Sequence, residues 1–178
     1  ESSLHVDYGR MRVPKLRVHC VIVCTRARPE GVRAVLTSLG VSTVKPDLIV
    51  VVDSSDNTSV CEVVEEMRIL IDSDMKHLRS SPGLPFQRNR GLDEVVRRFG
   101  EDDVLVHFLD DDVIPLPTYL DEITSVFETY PEAVCVGGKD INRTQVKKSI
   151  FSRLMLVDSV HEGKVRASGF NIVQSRGN

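Results

Sequence analysis

Residues 104–117, VLVHFLDDDVIPLP, place an apolar run directly before three aspartates and two prolines. The apolar run, Val104 to Leu109, predicts a buried strand, and the prolines interrupt regular structure after it. Asp110, Asp111 and Asp112 then stand side by side at the carboxyl end of that strand. Three adjacent carboxylates repel one another unless a cation or hydrogen-bond donors lie between them. The triplet is therefore the first candidate for a ligand site.

On both sides of this stretch, short apolar runs alternate with helical patterns. Strands are predicted at 18–24, 48–52, 76–79, 133–136 and 170–173. Helical spacing of apolar residues predicts four amphipathic helices, with the stripes Val32, Val35, Leu36 and Leu39; Val60, Val63, Val64 and Met67; Leu92, Val95, Val96 and Phe99; and Leu120, Ile123 and Phe127. This alternation predicts an α/β fold with a parallel sheet and helices on both faces. Ser59 and Glu62 have capping-box spacing at the start of the second helix.

Composition limits the classes of protein that the chain can belong to. Its 178 residues, 41% of them hydrophobic, are enough for one domain with a sizeable core. A formal net charge of -3 argues against a surface devoted to nucleic acid, and no apolar run is long enough to span a membrane. We interpret the cysteines as reduced core residues and two histidines as hydrogen-bonded core residues: Cys20, Cys24, Cys61, Cys135, His19 and His107.

Polar loops follow three of the predicted strands. In open α/β sheets, ligands bind beyond the carboxyl ends of the strands, so we expect residues 25–28, 53–56 and 110–112 to meet in space. Carboxylate oxygens suit Mg²⁺ or Mn²⁺, and a site with few protein ligands leaves positions for substrate phosphates. If the segment stays extended, Asp110 and Asp112 share one side and Asp111 takes the other. The alternative is that these acids cap a helix or solvate a turn.

The flanking loops carry further candidates. Asp53 ends a strand, where a carboxylate can bind a ribose hydroxyl or a base N–H, or can cap a helix. Arg26 and Arg28 lie in the first loop, and Arg88 and Arg90 near the start of the third helix, where guanidinium groups can reach phosphates or simply be solvated. Neither a G-x-G-x-x-G dinucleotide fingerprint nor a Walker-type loop follows the first strand, so classical dinucleotide and P-loop sites are disfavoured.

Taken together, these segments resemble the family 2 glycosyltransferases. The matching features run in order from residue 18 to 176: TRARP after the first strand, VVDSSD, QRNRG, LDDDVIPLP, VGG and SGFNIVQSR. The resemblance implies a GT-A fold, a three-layer sandwich with a mainly parallel central sheet. It also implies a GT-A domain over residues 18–178 that is incomplete at its C-terminus. Residues 1–17 show no clear period, and we expect them to be an arm or tag remnant.

What the resemblance implies for function is an inverting transferase that uses a nucleotide-diphosphate sugar with Mn²⁺ or Mg²⁺. Carried over by position, Thr25, Arg26 and Arg28 would line the nucleotide pocket, and Asp53 would contact the base or ribose. Arg88 and Asn89 would close over the donor, Asp110 and Asp111 would lie beside ribose and sugar, and Asp112 would hold the metal. In the family the general base lies beyond the strand that SGFNIVQSR resembles, so we assign no catalytic base.

Two other functions stay open. A sugar-phosphate nucleotidyltransferase would carry a glycine-rich, lysine-bearing loop after the first strand, whereas TRARPEG has one glycine and no lysine. A catalytically incomplete nucleotide-binding module is the other. Residues 139–166 carry seven basic and three acidic residues, a net of plus four. In the family this stretch borders the acceptor, so the resemblance implies an anionic or membrane-associated acceptor, unless these residues form a solvated loop. We expect a cytoplasmic protein, and the alternative is a cytoplasmic protein attached peripherally to the membrane.

Overall fold

The computed structural model describes residues 17–100 and 103–138. Four parallel strands lie in the order β3-β2-β1-β4. The elements in chain order are β1 (Val18–Thr25), α1 (Pro29–Gly40), β2 (Leu48–Asp53), α2 (Ser59–Leu70), β3 (Asp74–Arg79), α3 (Leu84–Phe99), β4 (Val104–Asp110) and α4 (Tyr119–Thr129). The predicted α/β fold with a parallel sheet is confirmed. The predicted strand at 170–173 and the N-terminal arm before residue 17 lie outside the described residues.

Helices cover both faces of the sheet. One face packs against α1, α2 and α4 through a core that includes Val21, Val23 and Leu36. The opposite face packs against α3 through a second core that includes Cys20 and Ile22. Because β1 and β2 are covered on both sides, almost all of their residues are buried, as their continuous apolar sequences predicted. The result is the three-layer arrangement expected from the sequence.

The buried face of α3 differs from the predicted stripe. Val96, predicted to be buried, is 61% exposed, whereas Gln87, Gly91 and Val95 face the sheet. These three residues are spaced four apart and therefore share one side of the helix. Apolar periodicity missed this face because it contains a glycine and an amide. Gly91 is required there, since an added Cβ would lie 2.5 Å from the Cγ2 atom of Ile22.

Two further local predictions are wrong. The N-cap of α2 is Thr58, and Ser59 is already helical, so the capping box predicted at Ser59 and Glu62 does not form. Instead the Thr58 hydroxyl donates to Glu62 Oε1 at 2.7 Å. Residues 133–136 form no strand, and Val134 is 97% exposed. Within the described part of the chain this segment has no neighbouring strand to complete a ladder, so β-propensity alone does not order it.

His19 and His107 are hydrogen-bonded core residues, as predicted, and the structure shows that they contact each other. His19 Nδ1 lies 3.1 Å from His107 Nε2, and His19 Nε2 lies 3.3 Å from the Thr124 hydroxyl. Burial lowers the pKa of both imidazoles, that of His107 to about 4. Both rings are therefore neutral near pH 7, and the pair ties β1 to β4 and α4.

The interpretation of the cysteines as core residues is correct only for part of the set. Cys20 and Cys24 are buried free thiols, and burial raises their pKa to about 12 and about 11. Cys61 is half-buried, and Cys135 is exposed because the strand predicted around it does not form. Among the described helices, none combines the length and apolar character needed to cross a bilayer.

Candidate functional site

The carboxyl ends of the strands meet at one edge of the sheet. Thr25 of β1 is in register with Asp53 of β2, and Cys24 of β1 is in register with Asp110 of β4. Parallel pairing thus places the first loop between the Asp53 loop and the aspartate triplet. The juxtaposition of three polar loops, expected from the strand pattern, is present in the structure.

Asp111 is the buried member of the triplet. Its side chain is 9% exposed, the Thr25 hydroxyl donates to Oδ2 at 2.7 Å, and Arg28 Nη1 donates to Oδ1 at 2.9 Å. The same Arg28 nitrogen lies 3.4 Å from Asp112 Oδ2. The hydrogen bond to Asp111, with the charges of both aspartates, raises the pKa of Arg28. Arg28 is therefore the donor that offsets the repulsion between adjacent carboxylates.

The expected alternation of the triplet does not hold. Strand β4 ends at Asp110, and the Val113 amide donates to the Asp110 carbonyl at 3.2 Å, which closes a turn. Beyond Asp110 the extended geometry that would have grouped it with Asp112 is lost. Asp112 shares Arg28 with Asp111 instead, and its side chain is 70% exposed.

Asp110 has its own arginine on the other side of the sheet edge. Arg88 Nη2 donates to Asp110 Oδ1 at 3.3 Å, and its guanidinium carbon lies 5.6 Å from the centre of the Phe108 ring. Arg88 Nε is buried without a hydrogen-bond partner among the described residues. Asn89 and Arg90 follow on exposed positions of α3, and Arg26 is exposed in the first loop. These arginines lie within the helix or loop as expected, although α3 begins at Leu84, earlier than the sequence pattern indicated.

Asp53 lies in a very different environment. It is fully buried, and its carboxylate accepts hydrogen bonds from Ser55 and from Arg79 Nη1, the latter at 2.7 Å. His77 Nε2 lies 3.2 Å from the same carboxylate. Burial alone would raise the pKa of this carboxyl, but the hydrogen bonds from Ser55 and His77 and the charge of Arg79 bring the pKa below its usual value. Asp53 is thus an ionised, internally paired group.

Sequence reasoning missed two residues that build this edge. The buried Gln87 side chain donates to the carbonyl oxygens of Thr25 at 2.7 Å and Val52 at 3.0 Å, which joins the ends of β1 and β2. Gly31 lets the first turn of α1 pass against the triplet, because an added Cβ would lie 2.3 Å from the Asp111 carbonyl oxygen. The only sequence signals were a glutamine directly before Arg88 and a glycine inside an otherwise helical pattern.

An open cleft of about 470 Å³ lies between the start of α1 and the triplet. It is bordered by Arg28, Gly31, Asp111 and Asp112, among other residues. The described residues contain no cluster of three or more acidic, histidine or cysteine side chains arranged around one metal position. The exposed Asp112 carboxylate instead suits a cation whose remaining ligands come from water and substrate phosphates. The donor chemistry therefore fits Mg²⁺ or Mn²⁺ held by few protein ligands.

Most of the chain is similar to known glycosyltransferase sequences and structures. The family described as "Glycosyltransferase like family 2" matches residues 16–162. No curated protein sequence matched. Among solved structures, S. aureus TarS 1-349 aligns with a TM-score of 0.55 and 23% identity over 75% of this chain and 39% of that one.

Two further S. aureus TarS 1-349 structures align at 22% identity and a TM-score of 0.50, each over 74% of this chain. One is a complex with UDP-GlcNAc, in which the alignment covers 38% of the TarS chain, and the other is a complex with UDP, in which it covers 40%. This chain thus spans well under half of the TarS chains, and at such identities the likeness concerns the fold. With the family match extending over residues 16–162, the chain belongs to the family 2 glycosyltransferases.

Proposed function

We propose that this chain binds a nucleotide-diphosphate sugar at the carboxyl edge of its sheet, for transfer of the sugar to an acceptor hydroxyl with inversion. The observation that carries the proposal is the pair of ionised groups Arg28 and Asp112, both largely exposed beside the cleft. Exposed ion pairs exchange partners at little cost. A diphosphate with its cation can therefore replace this ion pair, with the phosphates binding Arg28 and the cation binding Asp112.

Each residue at this edge has a proposed role, and its position supports that role. Thr25, Arg26 and Arg28 line the pocket for the nucleotide, and Arg28 reaches the phosphates because it already lies between two carboxylates. On the other side, Arg88 and Asn89 close over the donor, and Asp110 holds Arg88 in place. Asp53 lies beside Thr25 at the end of β2, with its carboxylate buried.

Asp111 orients Thr25 and Arg28 through hydrogen bonds to its carboxylate. Its buried carboxylate holds both the Thr25 hydroxyl and Arg28, so the phosphate-binding guanidinium is placed before the donor arrives. The ribose and sugar pass beside Asp110 and Asp111. Asp112 would hold Mn²⁺ or Mg²⁺, and that cation, when bound, supplies positive charge for the diphosphate leaving group.

The proposal also covers the identity of the donor nucleotide and the class of acceptor. The S. aureus TarS structures in complex with UDP-GlcNAc and UDP support a uridine nucleotide as the first donor to test. An anionic or membrane-associated acceptor, and with it a cytoplasmic protein attached peripherally to a membrane, is proposed from the basic charge of residues 139–166. Those residues lie outside the described part of the chain, so the acceptor stays a prediction.

Calorimetry tests the donor half of the proposal directly. The chain is titrated with UDP, dTDP and GDP, each with and without Mn²⁺, and we expect Mn²⁺ to strengthen binding of one of them at least tenfold. Asp112→Asn is expected to abolish that metal-dependent gain, because the neutral amide lacks the negative charge that attracts the cation. Asp121→Asn, on the exposed first turn of α4, is the matched control and should behave like the wild type.

Two outcomes would contradict the proposal. If no nucleoside diphosphate binds even with Mn²⁺, the glycosyltransferase function proposed for this site fails. If binding keeps its full metal dependence in Asp112→Asn, the cation is held elsewhere and Asp112 loses its role.

A further inference from the structure

The carboxylate of Asp53 has no oxygen left for a ligand. Oδ1 accepts from the Ser55 amide at 2.7 Å and from the Ser55 hydroxyl, and Oδ2 accepts from Arg79 Nη1 at 2.7 Å. His77 Nε2 lies 3.2 Å from Oδ2. With these four partners and no exposed surface, the side chain is saturated. A direct hydrogen bond to a nucleobase or ribose would require breaking one of these buried contacts.

The Ser55 hydroxyl continues the chain of hydrogen bonds toward the first loop. Because its proton is donated to Asp53, its oxygen is free to accept, and the Ala27 amide donates to it at 2.7 Å. Ala27 has a φ of 55°, the left-handed region, and among the described residues no other non-glycine has a positive φ. That conformation is strained for a residue with a Cβ and persists only when its surroundings hold it.

Ala27 lies between Arg26 and Arg28, so its conformation decides where Arg28 emerges. From that position Arg28 reaches Asp111 and Asp112. Arg79 strengthens the support from below, since it also donates to the carbonyl oxygens of Ser55 and Asn57. A continuous series of contacts therefore runs from Asp53 through Ser55 and Ala27 to the arginine at the triplet.

We infer that Asp53 is a positioning residue, which through the Ser55 hydroxyl holds Ala27 in its left-handed conformation and so places Arg28 for the donor phosphates. Asp53 then serves the phosphate end of the site and makes no contact with the base. This inference rests on the proposed function for the identity of the ligand. The hydrogen-bond series itself is a property of the free chain.

The first experiment needs no ligand. Amide hydrogen exchange of Ala27 is measured in the wild type, Ser55→Ala, Asp53→Asn and the control Ser54→Ala. Ser54 is a neighbouring buried serine whose hydroxyl makes only a long contact of 3.4 Å to the Thr25 carbonyl. We expect Ser55→Ala to reduce the protection of Ala27 by about tenfold while core amides of β1 and β2 stay protected, because one supporting bond is lost. Ser54→Ala should leave Ala27 unchanged.

The second experiment asks which end of the ligand depends on Asp53. Affinities for UDP and for inorganic pyrophosphate, each with Mn²⁺, are measured by calorimetry for the same variants. A positioning role predicts that Ser55→Ala and Asp53→Asn weaken both ligands by the same factor, about fivefold for the loss of one hydrogen bond. Ser54→Ala should bind both ligands like the wild type.

The two experiments separate the failure of this inference from the failure of the proposed function. The inference is overturned if Ala27 keeps its protection in Ser55→Ala, or if Asp53→Asn weakens UDP and leaves pyrophosphate unchanged, which is the pattern of a base contact. Failure of the wild type to bind either ligand would count against the proposed function, while the exchange of Ala27 would still decide whether Asp53 acts through Ser55.

Discussion

Asp53 ends β2 and Asp112 lies two residues after β4, on opposite sides of β1 at the same sheet edge, yet they differ in almost every physical respect. Asp53 is fully buried and its oxygens are filled by Ser55, His77 and Arg79. Asp112 is 70% exposed, and its contact with Arg28 is long, at 3.4 Å. A buried carboxylate with several donors is costly to disturb, whereas an exposed ion pair contributes little to stability and exchanges readily.

The difference shows that an acid at the end of a strand has no fixed role. In the sequence, both aspartates lie at or shortly after the carboxyl end of an apolar strand. What separates them is the number of donors that the fold brings to each carboxylate and the water that it removes. Asp53 thereby supports the loop architecture, and Asp112 is left available for a cation.

Removal of each carboxylate provides the sharpest test of this contrast. Asp53→Ala is expected to lower the free energy of unfolding by about 3 kcal/mol, because Ser55, His77 and Arg79 lose a buried acceptor. Asp112→Ala should change it by no more than about 0.5 kcal/mol, as is usual for exposed positions. Urea denaturation at pH 7 measures both. Equal effects of the two substitutions would remove the distinction between them.

Acidification extends the contrast to another buried group, the His107 side chain. Its pKa is lowered to about 4 in the folded chain, so its neutral form stabilises the fold fully above the unfolded pKa near 6.5. As pH falls below 6.5, the unfolded state binds the proton first, and stability should drop by about 2 kcal/mol between pH 7 and pH 5.

The check is urea denaturation of the wild type and His107→Gln at both pH values. The variant should show a shallower pH dependence, with the remainder due in part to His19, whose pKa is also lowered by burial. An equally steep loss of stability in the variant would exclude His107 as its source.

Gly31→Ala tests the aspartate triplet without changing any charge. The added methyl would overlap the Asp111 carbonyl oxygen, so α1 and the triplet must move apart. We expect a loss of about 1–2 kcal/mol in stability from this strain, together with weaker binding of UDP and Mn²⁺. Gly137→Ala, where an added Cβ has no neighbour among the described residues within 4 Å, is the control. Wild-type stability and affinity in Gly31→Ala would show that this close approach is unimportant.

Much of the fold was predictable because burial leaves a periodic trace in the sequence. The continuous apolar runs of β1 and β2 and the stripes of α1 and α2 were identified correctly. The errors occurred where burial involves residues that are not apolar, as at Gln87 and Gly91, or where β-propensity had no partner strand among the described residues, as at 133–136. Propensity describes the single segment, whereas these outcomes depend on what packs against it.

The sequence by itself determined the parallel α/β sheet and the meeting of Thr25, Asp53 and the aspartate triplet at one edge. Both follow from strand and helix periodicity and from the geometry of parallel strands. Only the tertiary structure decided which carboxylate is buried, which is paired with Arg28 and which is open to solvent. Those distinctions arise from contacts between residues far apart in the chain, such as Arg28 with Asp111 and Arg79 with Asp53. No local pattern of residues encodes them.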